Sequence, residues 1–294
     1  MLDDRTVTPG LTASRDPRPE SPEWRDAVAA RLDALAAAAH ESASEVWTMR
    51  DRFVAEEKRP NDWVTDADRA ADLIIRGVKD ARFPEDGWLS EESLVHTAAG
   101  AFTWVVDPID GTREFVEGLP EYAVSIGLVW QGRAVAGAIA HPPSGVVMAG
   151  AITTGLRPAN TSQLPGTRGT AAGLRILVSR TDLSRDRFAG WRADLPLTAV
   201  GSIAYKLALV AYGEADAVVS VTKKNPWDVV GGFGLLRAAG LVPRYLDERE
   251  HPVPAVNERL PPFLVARTPD IEAELFAESQ LQAQRFAAAK GKRP

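Results

Sequence analysis

The sequence predicts a protein of mixed α and β structure in two lobes, on three observations: helical periodicity before residue 80, short β-type runs from Phe102 to Ile152, and an alternation of strand and helix beyond residue 173. Residues 1–21, polar and Pro-rich, read as a flexible N-terminal tail. Ser21-Pro22 has the form of an N-cap followed by proline at the first helical position, and Trp24, Val28, Leu32 and Leu35 recur at helical spacing. One long amphipathic helix is therefore expected to about His40 or somewhat beyond. A second is expected from about Ala67 to Lys79, with Ala67, Ala71, Ile74, Ile75 and Val78 on one face and Asp66, Asp68 and Asp72 at its acidic start. FTWVV reads as a strand, and YAVSIGLVW, AVAGAIA and GVVMAGAI as an antiparallel meander broken at Gln131-Gly132 and Pro143-Ser144-Gly145. These close an N-terminal lobe over 22–152. Residues 153–173, rich in Thr, Gly, Pro and Ser and without a period, read as a surface loop or junction. In the C-terminal lobe, 174–294, LRILVS and ADAVVSV are strands. Ile203 to Tyr212 is a helix opened by Gly201-Ser202, Pro226 to Ala239 a helix closed by Gly240, and Asp270 to Lys290 a terminal helix.

With 294 residues, 45% hydrophobic and 25% charged, the chain can bury a sizeable core. A formal net charge of −6 and the lack of any long Lys/Arg block argue against nucleic acid or an anionic membrane surface as partner. The absence of cysteine excludes disulfides, thiolate metal sites and cysteine nucleophiles. The N-terminal stretch has no apolar signal-peptide core and no run is long enough to span a bilayer, so a cytoplasmic protein is expected.

The chemistry concentrates in carboxylates. In Trp104 to Phe115, WVVDPIDGTREF, an apolar run stops at Asp107 and is followed at once by Pro108, Asp110, Gly111 and Thr112. Asp-Pro and Asp-Gly are common turn formers, so this stretch alone reads as a turn. Three further segments weigh against that: Trp88 to Ser93, with paired Glu91 and Glu92; Asp66-Ala67-Asp68; and Lys223 to Asp228, which puts an aspartate at the mouth of a helix. Each has an ordinary explanation as a solvated loop or a helix-start carboxylate. Together they supply carboxylates at the ends of four elements with almost no histidine, and such hard oxygen donors suit Mg²⁺ rather than zinc.

WVVDPIDGTREF, LSEES, VTDADRAAD and NPWDVVGG, in their spacing, resemble the inositol monophosphatase superfamily of Mg²⁺-dependent, Li⁺-sensitive phosphomonoesterases, over about residues 25 to 265. The resemblance implies an α+β fold, the layered αβαβα sandwich of these enzymes, with two or three Mg²⁺ ions between the halves. Glu92, as the second glutamate of EES, Asp107, Asp110, the carbonyl of Ile109 and Asp228 are the implied metal ligands. Thr112 paired with Asp68 is implied to orient or deprotonate the attacking water, with Glu92 as rival for that base. Gly111 and Thr112 are implied to open a helix facing the phosphate. Asp110, Arg180, Gly201, Ser202 and Asp228 complete the implied substrate contacts.

Substrate is read from local departures, since one fold of this kind serves several phosphate esters. Arg113-Glu114-Phe115 after DGT, and Val178-Ser179-Arg180, resemble 3'(2'),5'-bisphosphate nucleotidases. Inositol-specific members carry a glutamate seven residues before the WD aspartate, where this chain has Val221. Adenosine 3',5'-bisphosphate is the expected substrate, with Arg180, Lys206, Lys223 and Lys224 as candidates for a second phosphate. Inositol 1-phosphate or another sugar phosphate is the alternative, and a silent metal- or phosphate-sensing protein the alternative of another class. HAD-type chemistry needs aspartates two apart, whereas Asp107 and Asp110 are three apart; GxSxG is absent, which weighs against Ser-His-Asp hydrolysis. A small phosphorylated metabolite is the expected partner, and a homodimer is left open.

Overall fold

A computed structural model describes residues 21–59, 62–93, 100–165, 173–254 and 258–291. The expected tail over 1–21 lies outside them except for Ser21, whose hydroxyl accepts from the Trp24 N–H and starts α1 (Pro22–Met49). This helix runs further than the periodicity indicated because Ala43 and Val46 continue its buried face past His40. A short hairpin, β1 (Ala55–Arg59) and β2 (Asp62–Thr65), leads into α2 (Asp66–Arg82). The first sheet holds β3 (Gly87–Ser90), β4 (Phe102–Asp110), β5 (Ala123–Trp130), β6 (Arg133–His141), β7 (Val146–Ala151) and β8 (Gly155–Leu156) in that spatial order. β3 and β4 are parallel and the rest antiparallel, which is the expected meander with a strand added at each edge. The one-turn helix α3 (Thr112–Val116) follows β4 directly.

The second half supplies β9 (Ile176–Ser179), α4 (Arg180–Ser184), β10 (Leu197–Val200), α5 (Ile203–Ala211), β11 (Ala217–Ser220), α6 (Pro226–Ala238), β12 (Arg244–Tyr245), β13 (Phe263–Ala266) and α7 (Pro269–Gly291). Its sheet has the order β10-β9-β11-β13-β12, with β10, β9 and β11 parallel. Helices α1 and α2 cover the outer face of the first sheet, α5 and α6 fill the space between the sheets, and α4 and α7 cover the far face of the second. That stack is an α+β sandwich of five layers.

Period-2 alternation places both sheets in it. Trp104 and Val106 enter the apolar cluster under α1, whereas Val105 enters the cluster shared with α5 and α6. Likewise Leu177 and Val218 face inward while Ile176, Val178 and Val219 pack with Leu275 and Phe276 of α7. Helix α6 lies against the first sheet almost backbone to backbone. A Cβ on Gly231 would stand 2.6 Å from Ser125 Oγ, and one on Gly127 would stand 2.7 Å from the Gly231 nitrogen. The Gly-Gly-Phe-Gly run is thus what lets α6 sit deep enough to bring its first turn, and Asp228, to the end of β4.

Candidate active site

The end of β4 is shaped by its neighbours. Pairing with β3 stops at Ser90 opposite Val106, and Pro108, with no N–H to give, follows at once. On the other side Asp107 pairs with Ser125 but Asp110 with Ala123, a bulge that turns both carboxylates into the gap between the sheets. Asp107 Oδ1 accepts from the Ile109 N–H at 3.1 Å, fixing the turn. Gly111 then takes φ +96, in the left-handed region that glycine enters without a Cβ penalty, and α3 begins.

Because β3 ends opposite Val106, the first residue after β3 meets Asp107. Glu91 donates its N–H to the Val106 carbonyl at 3.2 Å, and its carboxylate lies with those of Asp107 and Asp228, all within 4.8 Å of one another. Glu92, expected as the metal ligand, is not in this cluster. Its N–H goes to Ser90 Oγ at 3.3 Å, and its charge bears on Asp68. The structure thus brings Glu91, and not the expected Glu92, to Asp107 and Asp228. Asp107 is buried, and burial followed by the charges of Glu91, Asp110 and Asp228 pushes its carboxyl well above the usual range. Asp228 is raised to about 6 by burial and then by Asp110.

Several site aspartates divide their oxygens in the same way. Asp68 Oδ2 closes the capping box of α2, accepting from the Thr65 N–H at 2.7 Å, while Oδ1 accepts from Thr112 Oγ1 at 3.2 Å. Asp228 Oδ2 accepts from the Asn225 N–H at 2.9 Å in the capping box of α6. Asp110 Oδ2 accepts from Ser202 Oγ and from the Ala204 N–H, both at 2.5 Å. In each case one oxygen anchors the side chain to a helix start. Burial raises Asp68 to about 6 and also raises Asp110.

A cavity opens over this cluster, lined by Asp107, Asp110, Thr112, Asp228, Trp63 and Lys224 among others. Thr112 Oγ1 reaches the Ile109 carbonyl at 2.9 Å as well as Asp68, so the pairing expected of Thr112 and Asp68 is present. Other expected contacts are committed elsewhere. The guanidinium of Arg180 is held by Glu121 at 2.5 Å and does not line the cavity, whose wall there is Ser179 and Thr181. Gly201 lines it, but its N–H donates to Glu121 at 2.6 Å, and the Ser202 hydroxyl is given to Asp110. Lys206 is buried with its three protons directed to the carbonyls of Val200, Gly201 and Ser202, so it is no free cation for a second phosphate, and Lys223 is not on the wall. Burial pushes Lys206 down to about 8, against the charge of Asp110. Glu114, read from sequence only within the Arg113-Glu114-Phe115 signature, and Glu121, unassigned there, stand behind the Gly201 turn.

The donor set is all carboxylate and carbonyl oxygen, clustered and mutually repelling, with Asp107 and Asp228 held above the usual carboxylate range, which fits a hard divalent cation and no softer one. Among the described residues no helix is long and apolar enough to cross a membrane.

A family model described as the inositol monophosphatase family matches residues 24–287. The chain is 31% identical over 192 residues to a histidinol-phosphatase of Chlorobaculum parvum, covering 62% of this chain and 72% of that protein. It is 34% identical over 199 residues to an inositol-1-monophosphatase of Mesorhizobium japonicum, with the same two coverages. Among solved structures it superposes on the Thermotoga maritima IMPase with a TM-score of 0.71 at 22% identity, over 88% of this chain and 99% of that one.

Proposed function

The chain belongs to the inositol monophosphatase family and is a phosphomonoester hydrolase, and from that premise we propose that it uses Mg²⁺, in two or three ions, to cleave adenosine 3',5'-bisphosphate to AMP and phosphate. The observation that carries the reading is the convergence of Glu91, Asp107 and Asp228 beside the Thr112–Asp68 pair. Glu91, Asp107, Asp110, Asp228 and the Ile109 carbonyl would hold the cations. Bound there, divalent ions would offset the charge of the phosphate dianion and acidify water.

The chain's own residues do the rest. Thr112 has a single proton and two acceptors for it, which leaves oxygen lone pairs to orient a water in the cavity. Asp68, raised to about 6, is ionised at neutral pH and basic enough to receive that water's proton by way of Thr112. Oxygen adds to phosphorus as the ester P–O bond breaks, and the departing alkoxide takes a proton from solvent. Gly111 and Thr112 offer backbone N–H groups to the phosphate oxygens as the group passes through its most charged state.

The substrate reading rests on Arg113-Glu114-Phe115 and on Val221, which is buried among apolar side chains and offers nothing to a ring hydroxyl. Lys224, on the cavity wall, is the cation for the second phosphate. Release of phosphate from adenosine 3',5'-bisphosphate, inositol 1-phosphate, histidinol phosphate and fructose 1,6-bisphosphate, with Mg²⁺ and with chelator, tests both levels. We expect Mg²⁺-dependent turnover with the highest kcat/KM for the adenosine compound. Turnover that favours inositol 1-phosphate would overturn the substrate, and tight Mg²⁺ binding without turnover of any member would mark a metal- or phosphate-sensing protein instead.

A further inference from the structure

Lys206 is almost wholly buried at the wall of the cavity, and it is among the most heavily committed polar side chains of the described residues. Its Nζ lies 2.8, 2.9 and 2.8 Å from the carbonyl oxygens of Val200, Gly201 and Ser202, three successive residues. Carbonyls converging in this way repel one another, and a buried ammonium is what allows them to point at one place. The same turn is gripped from its other side. The Gly201 N–H donates to Glu121 at 2.6 Å, Glu121 is steadied by Arg180, and Glu114 packs so closely that a Cβ on Gly201 would stand 2.6 Å from its Cγ.

What is held is a strained conformation with a task. Ser202 has φ +43, costly for a residue with a Cβ, and in this pose its hydroxyl and the Ala204 N–H both reach Asp110 Oδ2. Those two bonds join the end of β4 to the start of α5 across the gap between the sheets. They use up one oxygen of Asp110 and fix the direction of the other.

We propose that Lys206 and Glu121 are positioning residues that lock the Val200–Ser202 turn so that Asp110 keeps one orientation for cation binding. The inference rests on the reading of Asp110 as a cation-holding residue. Without the ammonium, the carbonyls of Val200 and Gly201 lose this donor and that of Ser202 keeps only the Lys206 N–H, Ser202 relaxes toward ordinary φ, and Asp110 loses both donors.

The test is Mg²⁺ titration by calorimetry on the purified full chain, each variant first checked for folding by circular dichroism. Lys206→Met should raise the Mg²⁺ Kd by about ten- to a hundredfold, the range seen when partners that orient a ligand are removed. Glu121→Leu should raise it several-fold, while Glu121→Gln, whose amide oxygen still accepts from Gly201, should bind nearly as the parent does. In an Asp110→Asn background Lys206→Met should add nothing further, a non-additivity that general loosening of the fold would not give. A folded Lys206→Met with parental Kd, or a Glu121→Leu indistinguishable from Glu121→Gln, overturns the proposal; the Glu121 pair decides it if Lys206→Met does not fold. If Asp110→Asn alone leaves the Kd unchanged, the reading of Asp110 itself has failed, and the clamp with it.

Discussion

Asp68, Asp110 and Asp228 sit on three different elements, yet each gives Oδ2 to backbone at or beside a helix start. A carboxylate anchored by one oxygen loses little further freedom when the other takes up a ligand, so the ordering cost falls in folding rather than in binding. Glu91 is placed by strand register, because β3 ends opposite Val106 and the next residue must lie beside Asp107. This explains what the sequence could and could not reveal here. DPIDGT and the WD aspartate are fixed by a turn and by a helix start, both local, and were legible. Which of Glu91 and Glu92 enters the cluster depends on where β3 stops, which no pattern in a four-residue strand declares. Glu91→Gln should lower kcat/KM at fixed Mg²⁺ by roughly a hundredfold or more, and Glu92→Gln by less than about tenfold, on the scale of a lost charge-stabilising group against a neighbouring one. Steady-state kinetics on the pair would show the reverse order if the cluster were built around Glu92.

Among elements, the long periodic ones were legible, as were the short apolar strands β9 and β11, but several other short ones were not. The faces of α1 and α2, the meander β5 to β7, and the caps of α5 and α6 follow from residue spacing and local chemistry. β1, β2, β3 and β10 have five residues or fewer, so alternation within them had no room to register. The glycines of α6 carry a clearer signal than their low helix propensity indicates. Gly231→Ala would drive a methyl against Ser125 Oγ and Ile139 Cδ1, at 2.6 and 2.9 Å, and the helix would have to lift from the sheet and carry Asp228 with it. A loss of about 1–3 kcal/mol or more is expected from such overpacking, together with weaker Mg²⁺ binding. Gly77 of α2 offers the control, since a Cβ there meets nothing within 4 Å, and Gly77→Ala should stabilise by up to about 1 kcal/mol. Thermal unfolding of both variants reads the opposite signs directly; a Gly231→Ala protein as stable as the parent would mean that α6 is not seated by backbone contact.

At the scale of the whole molecule, composition and periodicity reached only a mixture of helices and strands in two lobes, whereas the five-layer order came through family motifs. The reason is that layer order is written in long-range contacts, such as Asp110 of β4 bonded to Ser202 and Ala204 at the start of α5, which no window of sequence contains. The same arrangement sets the stability of the metal-free fold against the ionised state that binds a cation. Asp68 and Asp228 are raised from 3.8 to about 6 by burial, and Asp107 is also pushed well above the usual carboxylate range. A carboxyl group with a raised folded pKa holds its proton in the native chain after the unfolded chain has lost it. Its stabilising contribution is therefore full below 3.8 and falls as pH rises through about 6. Carboxylates lowered by basic partners, Asp80 by Lys79 and Asp194 by Arg192, act in the other window, below 3.8. Metal-free protein should accordingly lose several degrees of Tm between pH 4.5 and 7, on the order expected when buried carboxylates ionise without a counter-charge. Mg²⁺ binds the ionised form, so its stabilising increment should be small near pH 4.5 and largest at pH 7, where the ligands no longer compete with protons. Scanning calorimetry across that range, with Mg²⁺ and with chelator, would give two curves that diverge with rising pH. Parallel curves would show that the acidic cluster does not hold the cation.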